Sequence, residues 1–420
     1  MPTRYPLVQV RRLAENLDYQ RIPLNASERA SRFGSIPYWG ANSIVDHVDE
    51  HLVSGPLVLI GEDGAPFFDP MRPVAFAIDE PIWPNNHVHV LRARPWNDHR
   101  YLAYALNTVD YRIHIKGSTR DKLNQADLSS IQLPAPDSEQ QRAVADYLDH
   151  ETAEIDAFLE DLHQLQTLSD EQRASRLAST LTGKSLPKSR QSINGARWFD
   201  SIPDDWQAVK IRHLTPVLRG ASPRPINDPI YFDENGHYSW VRISDVTNSN
   251  GRLTHTSQRL STLGSSRSVP LEPGSLFLSI AATVGKPCIT EIPACIHDGF
   301  VYFPEAPELT EWLFAVFEAG LCFAGLGKLG TQLNLNTDSV GDIMIPLPSP
   351  SDQQAMLQVI QQQRREAQSI KDDVQEAIDL VKERRAALIS AAVTGQIDVP
   401  GRRRGPSEAE RLESELARTQ

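Results

Sequence analysis

Two long stretches of the chain match each other at a constant spacing of 212 residues, and this internal repeat constrains the fold more than any other feature. In the first copy Leu123-Asn124 leads into an apolar run, Ile131-Gln-Leu133-Pro134-Ala-Pro136, and a long helical pattern then ends at Leu181-Thr182-Gly183. The second copy reads Leu335-Asn336, Ile343-Met-Ile345-Pro346-Leu-Pro348 and Val393-Thr394-Gly395. The globular parts also begin alike, since Tyr5, Val8, Val10 and Leu13 correspond to Trp206, Val209, Ile211 and Leu214. The repeat unit is therefore a globular module plus a helix, used twice.

The helices follow from spacing. Ser138 to Gln141 and Ser351 to Gln354 both read S-x-x-Q, where the hydroxyl is expected to cap a free backbone N–H and the Gln to reach back. Prolines just upstream keep the chain extended to that point. Val144, Leu148, Ile155, Phe158, Leu162 and Leu165 fall at a and d spacing, interrupted by Glu151. Met356, Ile360, Ala367, Ile370, Val374 and Ala377 keep the same register, and Val381 and Leu388 extend it. Gly183 and Gly395 stand where a left-handed C-cap is expected. A helix of about 40 residues is about 60 Å long, too long for one small module to cover. The two helices are thus expected to pack on each other as an antiparallel coiled coil; a generic dimerising coiled coil is the other reading.

Inside the modules, short β-like runs are separated by Gly, Pro, Asp and Asn turns. They are Leu57 to Ile60, Val74 to Ile78 and His87 to Leu91 in the first, and Trp240 to Ile243, Leu276 to Ile280 and Phe300 to Phe303 in the second. Each module has a late helical stretch, 98–108 and 309–323. The fold class expected is α+β, with a pseudo-two-fold repeat. Domains are expected at 1–136, 201–348, with helices at 137–183 and 349–396, a polar linker at 184–200 and a charged, frayed tail at 397–420.

Three cysteines, Cys288, Cys295 and Cys322, lack the spacing of a disulfide framework or zinc site, and the N-terminal residues lack the apolar core of a secretory signal. With no apolar run long enough for a membrane helix, a cytoplasmic location is expected. The net charge of −12 is unusual for a chain that grips nucleic acid alone, because such binding draws on a basic excess. The acidity is concentrated in the first helix, which carries Asp137, Glu139, Asp146, Asp149, Glu151, Glu154, Asp156, Glu160, Asp161, Asp170 and Glu171. That face is either simply solvated or a surface that repels DNA and receives a basic partner.

The order of parts, a module with an L-N loop and P-x-P exit, then a long helix ending in T-G, then all of it again, resembles the specificity subunit of Type I restriction-modification systems. The likeness covers about residues 4–398. Further matching pieces are Ile36-Pro-Tyr38-Trp39-Gly40-Ala41 and Leu59-Ile60-Gly61-Glu62-Asp63-Gly64 in the first half. In the second half they are Ile202-Pro203-Asp204-Asp205-Trp206, Tyr238-Ser-Trp240-Val-Arg242-Ile-Ser-Asp245 and Leu271-Glu-Pro-Gly274-Ser-Leu-Phe277. The first module departs from the pattern in lacking an I-P-x-x-W entry. The resemblance implies a non-catalytic chain with two target recognition domains, each reading its own half of a split, asymmetric double-stranded DNA site. It implies as partners two modification subunits, which bring S-adenosylmethionine and methylate adenine, and restriction subunits that use ATP and Mg²⁺ to translocate and cleave DNA. No cofactor or metal is expected on this chain, and the partners would supply most of the phosphate neutralisation.

Base reading needs Arg, Lys, Asn or Gln on loops that face a groove. The first module offers Arg21, Arg29, Arg32, Tyr38, Trp39 and Asn42, and the second Arg219, Arg224, Tyr238, Trp240, Arg242, Arg259, Arg267 and Lys286. For any one of them an ordinary solvated charge is the alternative. Lys116 and Arg120, with Lys328 and Gln332, sit in loops before the shared L-N and fit either phosphate contacts or a structural turn. Gly325-Leu-Gly327-Lys-Leu-Gly330 matches G-x-G-x-x-G without the strand before and long helix after that a nucleotide site requires. Neither a Walker A sequence nor an Asn-Pro-Pro-Tyr methyltransferase motif is found, and His47, His51, His87, His89 and His99 form no firm metal frame. Two other classes compete: a stand-alone DNA-modifying enzyme and a coiled-coil scaffold.

Overall fold

The computed structural model of the protein describes residues 3–115, 121–326 and 335–399. These divide into two compact units, with the boundaries between Gln164 and Leu165 and between Asp372 and Asp373. Both boundaries fall inside long helices, so each unit contains one globular module and part of each helix.

The helices are Ser138–Leu181 and Pro350–Val393, each of 44 residues, and both of their ends obey the repeat spacing. Their caps differ from the expected ones. The Gln140 N–H donates to Asp137 Oδ1 at 2.9 Å, and the Asp352 N–H to Ser349 Oγ at 3.3 Å, in place of caps by Ser138 and Ser351. The shared S-x-x-Q is offset by 213 residues and so falls out of register with the repeat, whereas Asp137 and Ser349 fall in it. Pro350 then occupies the first helical position, where a missing N–H has no consequence.

In the first unit the helices run antiparallel. Val144, Ala145 and Leu148 share a core with Ile389, Ala392 and Val393, while Leu162 packs with Val374 and Ile378 further along. Arg385 pairs with Asp156 at 3.0 Å between these two contacts. In the second unit Leu177 and Leu181 share a core with Met356 and Ile360, and Gln363 Nε2 donates to Thr180 Oγ1 at 3.2 Å. The apolar seam is narrower than the heptads suggest: Phe158, Leu165 and Ile370 are about half exposed. Straight helices drift against a strict seven-residue repeat, and here the ends of each pair are held in globular cores.

Each module reproduces the other's topology. In the first, a sheet has the strand order Ala14–Asn16, Val88–Ala93, Leu57–Gly61, Ala75–Ile78, antiparallel throughout. In the second the order is Leu218–Arg219, Phe300–Tyr302, Leu276–Ser279, Pro287–Thr290, with Arg252–Leu253 added as a parallel edge. A smaller sheet accompanies each. Ile36–Trp39 lies between antiparallel Ile44–Val48 and parallel Trp83–Pro84. Ser239–Val241 lies between antiparallel Gln258–Arg259 and parallel Ala294–Ile296, which also pairs with Val269–Leu271. The expected strand over 240–243 stops at Val241, because the Arg242 N–H is taken by the Asp245 carboxylate and a helix, Ile243–Asn248, starts there.

Entry and exit strands close each module. Leu7–Gln9 pairs with Gln132–Pro134, and Gln207–Lys210 with Met344–Leu347. The P-x-P exits receive side-chain donors from the late helices: Tyr101 Oη donates to the Pro134 carbonyl at 3.0 Å and Trp312 Nε1 to that of Pro346 at 2.8 Å. The polar stretch between the modules is folded, with Arg190–Ser192 paired to Ser201–Pro203 and Phe199 buried. The charged tail from Gly401 onward lies outside the described residues.

Both long helices end in a left-handed glycine with the double hydrogen bond of a Schellman cap, Gly183 at φ +63° and Gly395 at φ +71°. A Cβ on Gly183 would lie 2.7 Å from Pro203 Cγ, and one on Gly395 2.8 Å from Tyr5 Cε2. Alanine at either position is expected to destabilise its own unit by about 1–2 kcal/mol from the backbone alone. A thermal melt unchanged by Gly183→Ala would contradict this. Among the described residues no helix is long and apolar enough to cross a membrane.

Candidate nucleic-acid interface

In the second module, residues from several segments line an open groove of about 1070 Å³. Its polar lining comes from Arg242 at the end of one strand, Gln258 and Arg259 on the neighbouring strand, Asn227 on the preceding loop and His297 on a turn. Strand pairing sets these together, since Ser239 faces Arg259 and Trp240 faces Gln258 across the ladder. The Arg242 guanidinium donates to Gln258 Oε1 at 2.5 Å. Arg259 Nη2 donates to the His237 carbonyl at 3.3 Å, and both arginines stay exposed. Asp233 and Glu234 also line the groove and are able to accept from exocyclic amines.

Trp240 is 2% exposed; its ring packs at 5.9 Å from His297, so it is a wall of the groove and not a free stacking surface. Next to His297, Asp298 collects Ser222 Oγ at 2.6 Å and Arg224 Nη2 at 2.9 Å, and its carbonyl accepts from Arg219 Nε at 2.6 Å. The Ser222 hydrogen bond, with Arg224 helping, holds the Asp298 carboxyl below the usual carboxylate range. Tyr238 Oη donates to Glu272 at 3.0 Å, which raises the phenol pKa. Arg267 and Lys286 are exposed and stand apart from the groove lining.

The first module treats its candidates differently. Tyr38 and Trp39 are buried, which corrects their reading as base contacts: Tyr38 Oη accepts from the Leu24 N–H at 2.9 Å, and Trp39 packs on Phe76. Arg21 is an internal strut. It pairs with Glu62 at 2.5 Å and donates to the Val88 carbonyl at 3.1 Å. Lys122 reaches the same Glu62 at 2.8 Å. Burial alone would raise the Glu62 carboxyl, but Lys122, Arg21 and His89 outweigh it and hold it low. Arg29 lies over the Tyr38 ring and pairs with Asp46 at 3.0 Å, while Arg32 lies over Trp83 and pairs with Asp49 at 3.3 Å. Asn42 donates to the Gly64 carbonyl at 2.9 Å. Arg29 and Arg32, at the end of the helix Ala26–Ser31, thus both lie over aromatic rings of the small sheet, and Arg21 and Asn42 belong to neighbouring structural contacts.

Lys116, Arg120, Lys328 and Gln332, like Gly327 and Gly330, lie outside the described residues. Sequence reasoning missed Asn227, Gln258 and His297. The antiparallel register of 239–240 with 258–259 and the parallel one of 239–241 with 294–296 bring Gln258 and His297 together, the loop before 229–231 adds Asn227, and none of these leaves a local signal.

The two modules thus share one topology and carry unlike polar surfaces. Residues 8–164 and 203–379 match the model of the type I restriction modification DNA specificity domain, and the chain belongs to that family. It is 34% identical over 148 residues to a Haemophilus influenzae protein named as type I restriction enzyme specificity subunit S.HindORF215P, covering 35% of this chain and 37% of that one. Over 300 residues it is 21% identical to the type I restriction enzyme EcoBI specificity subunit of Escherichia coli, covering 68% of this chain and 62% of the relative. The chain thus spans less than two thirds of these relatives' lengths. A solved structure concerned with complex assembly and conformational transition of the type I R-M system superposes with a TM-score of 0.63 at 17% identity, covering 94% of this chain and 99% of that one. It shares the fold.

Proposed function

We propose that this chain reads a split, asymmetric DNA target and directs adenine methylation and DNA cleavage by partner subunits, without catalysing either. The observation that carries the reading is the pairing of like topology with unlike surface: a groove of Arg, Gln, Asn and His side chains in one module, arginines stacked on aromatic rings in the other. Two readers that differ internally select different half-sites, so a pseudo-symmetric protein recognises an asymmetric sequence. Chemistry on partner chains fits the cysteines, which are buried with their thiols pushed up to about 11 for Cys288 and about 12 for Cys295 and Cys322, unsuited to nucleophilic work. S-adenosylmethionine, ATP and Mg²⁺ would then be held by the modification and restriction subunits. The net charge of −12 supports a division in which those partners contribute most phosphate contacts.

The test is to map methylated adenines in the source genome with and without the gene, and again after exchanging residues 201–348 for those of a family member. Loss of one bipartite motif on deletion, and change of a single half on exchange, are expected. Turnover by the purified chain alone, or a motif unaltered by the exchange, would overturn the proposal.

A further inference from the structure

His297 stands on the turn that leads into the strand Phe300–Tyr302. The Gly299 N–H donates to its Nδ1 at 2.9 Å, so the ring's proton is on Nε2. The ring is held between Trp240 and Phe300, at 5.9 and 4.6 Å. Among the described residues Nε2 has no hydrogen-bond partner, and His297 is part of the groove lining. The imidazole is thus a single donor of fixed direction.

The same turn recurs in the first module, 212 residues earlier, where Asn85 replaces the histidine. There the His87 N–H donates to Asn85 Oδ1 at 2.7 Å. The carbonyls of His87 and Gly299 in turn accept from the N–H groups of Glu62 and Ile280, both at 2.8 Å, at the ends of the equivalent central strands. The anchoring half of the side chain does the same work in both modules, whereas the head differs: an amide NH₂ on Asn85, an imidazole N–H on His297. A position that keeps its anchor and varies its head is suited to setting what each module selects.

Building on the groove as a DNA reader, we infer that His297 is a specificity-determining residue, its Nε2–H donating to an acceptor on a base edge. Guanine O6 and N7, adenine N7 and thymine O4 offer such acceptors in the major groove, while cytosine presents its amine. The charged groups facing the ring are Asp298 on its own turn, with Arg219 and Arg224 bound there, and Arg242, Arg259, Asp233 and Glu234 around the groove. Burial outweighs the pull of Asp298 and lowers the imidazole pKa from its ordinary 6.5, which keeps the neutral, single-donor form at physiological pH.

The experiment compares the methylated motif set by the wild-type gene with those set by His297→Asn, His297→Ala and the Arg242→Ala/Arg259→Ala double variant in the same host. His297→Asn installs the first module's residue and retains an acceptor for the Gly299 N–H, so thermal melts of the purified full chain should match wild type. Discrimination at one base pair of one half-site is expected to fall about tenfold in both His297 variants, with the other positions unchanged. Should His297→Asn fold poorly, His297→Ala carries the comparison at that base pair. A motif unaltered by the His297 variants but altered by the arginine pair overturns the role of His297 and leaves the groove as reader. Equal loss of methylation at all positions with normal melts also overturns it. If neither set changes the motif, the groove itself is not the reader.

Discussion

Alanine at both Arg242 and Arg259 is expected to weaken selective recognition of one half-site by about a hundredfold or more while leaving the fold intact. Each arginine that makes a good bidentate contact to a base contributes about 1–3 kcal/mol of discrimination, and a tenfold change corresponds to about 1.4 kcal/mol. Both side chains are exposed in the free protein and hold only Gln258 and the His237 carbonyl, so their removal leaves no buried group unpaired. Alanine at Arg267 and Lys286, exposed but apart from the groove, is the control. That change should weaken binding to all sequences alike and flatten the salt dependence, as loss of phosphate contacts does. Competition binding with half-site mismatches at several salt concentrations separates the two outcomes. If the groove pair behaved like the control pair, base reading would have to lie elsewhere in the module.

Trp206→Ala is expected to be among the most destabilising single changes in the second unit, at about 3–5 kcal/mol. Trp206 is 1% exposed, meets Trp312 edge-on at 6.0 Å and packs against Gly183 at the end of the first long helix. Its Nε1 also donates to Asp352 at 2.7 Å, in the first turn of the second long helix, where Lys188 is bound at 2.5 Å. Truncation therefore opens a cavity where two helix ends and the module core meet, and it removes one donor from a carboxylate. Trp206→Phe retains most of the apolar volume and should cost about 1.5–3 kcal/mol for the lost hydrogen bond to a charged group. Denaturant titration of the full chain reads both. Similar midpoints for the two variants would mean that packing at this junction matters less than its hydrogen bond.

How much of this was legible beforehand depended on whether the signal was local or repeated. The 212-residue spacing carries the long helices, their glycine caps and the exit strands, and a separate match at a spacing of 201 carries the entry strands, because each recurs with its own periodicity or turn chemistry. The caps, Asp137 and Ser349, keep the repeat spacing that the S-x-x-Q motif misses by one residue. Phe158, Leu165 and Ile370 keep the heptad spacing yet are about half exposed, since a heptad pattern cannot tell a helix flanked by modules from an uninterrupted coiled coil. In the recognition modules, arginines and aromatics looked alike in sequence. Tyr38 and Trp39 are neighbours on one strand and enter two different apolar clusters, and Trp240 enters a third, because both faces of these strands are covered, while Arg21 is paired with Glu62, 41 residues away. Asn227, Gln258 and His297 stayed hidden because nothing local brings residues that far apart into one groove.

The placement of both helix ends inside each globular core has a bearing on how the chain reaches its native state. The first unit is discontinuous: its core joins Val10, Leu13 and Tyr101 to Ile389 and Val393. A ribosome emitting the chain from its N-terminus delivers those last turns only after the entire second unit, which is continuous in sequence, has emerged. The earlier-synthesised module must therefore wait, incompletely sealed, for a helix made hundreds of residues later, and contacts of such long range are slow to form.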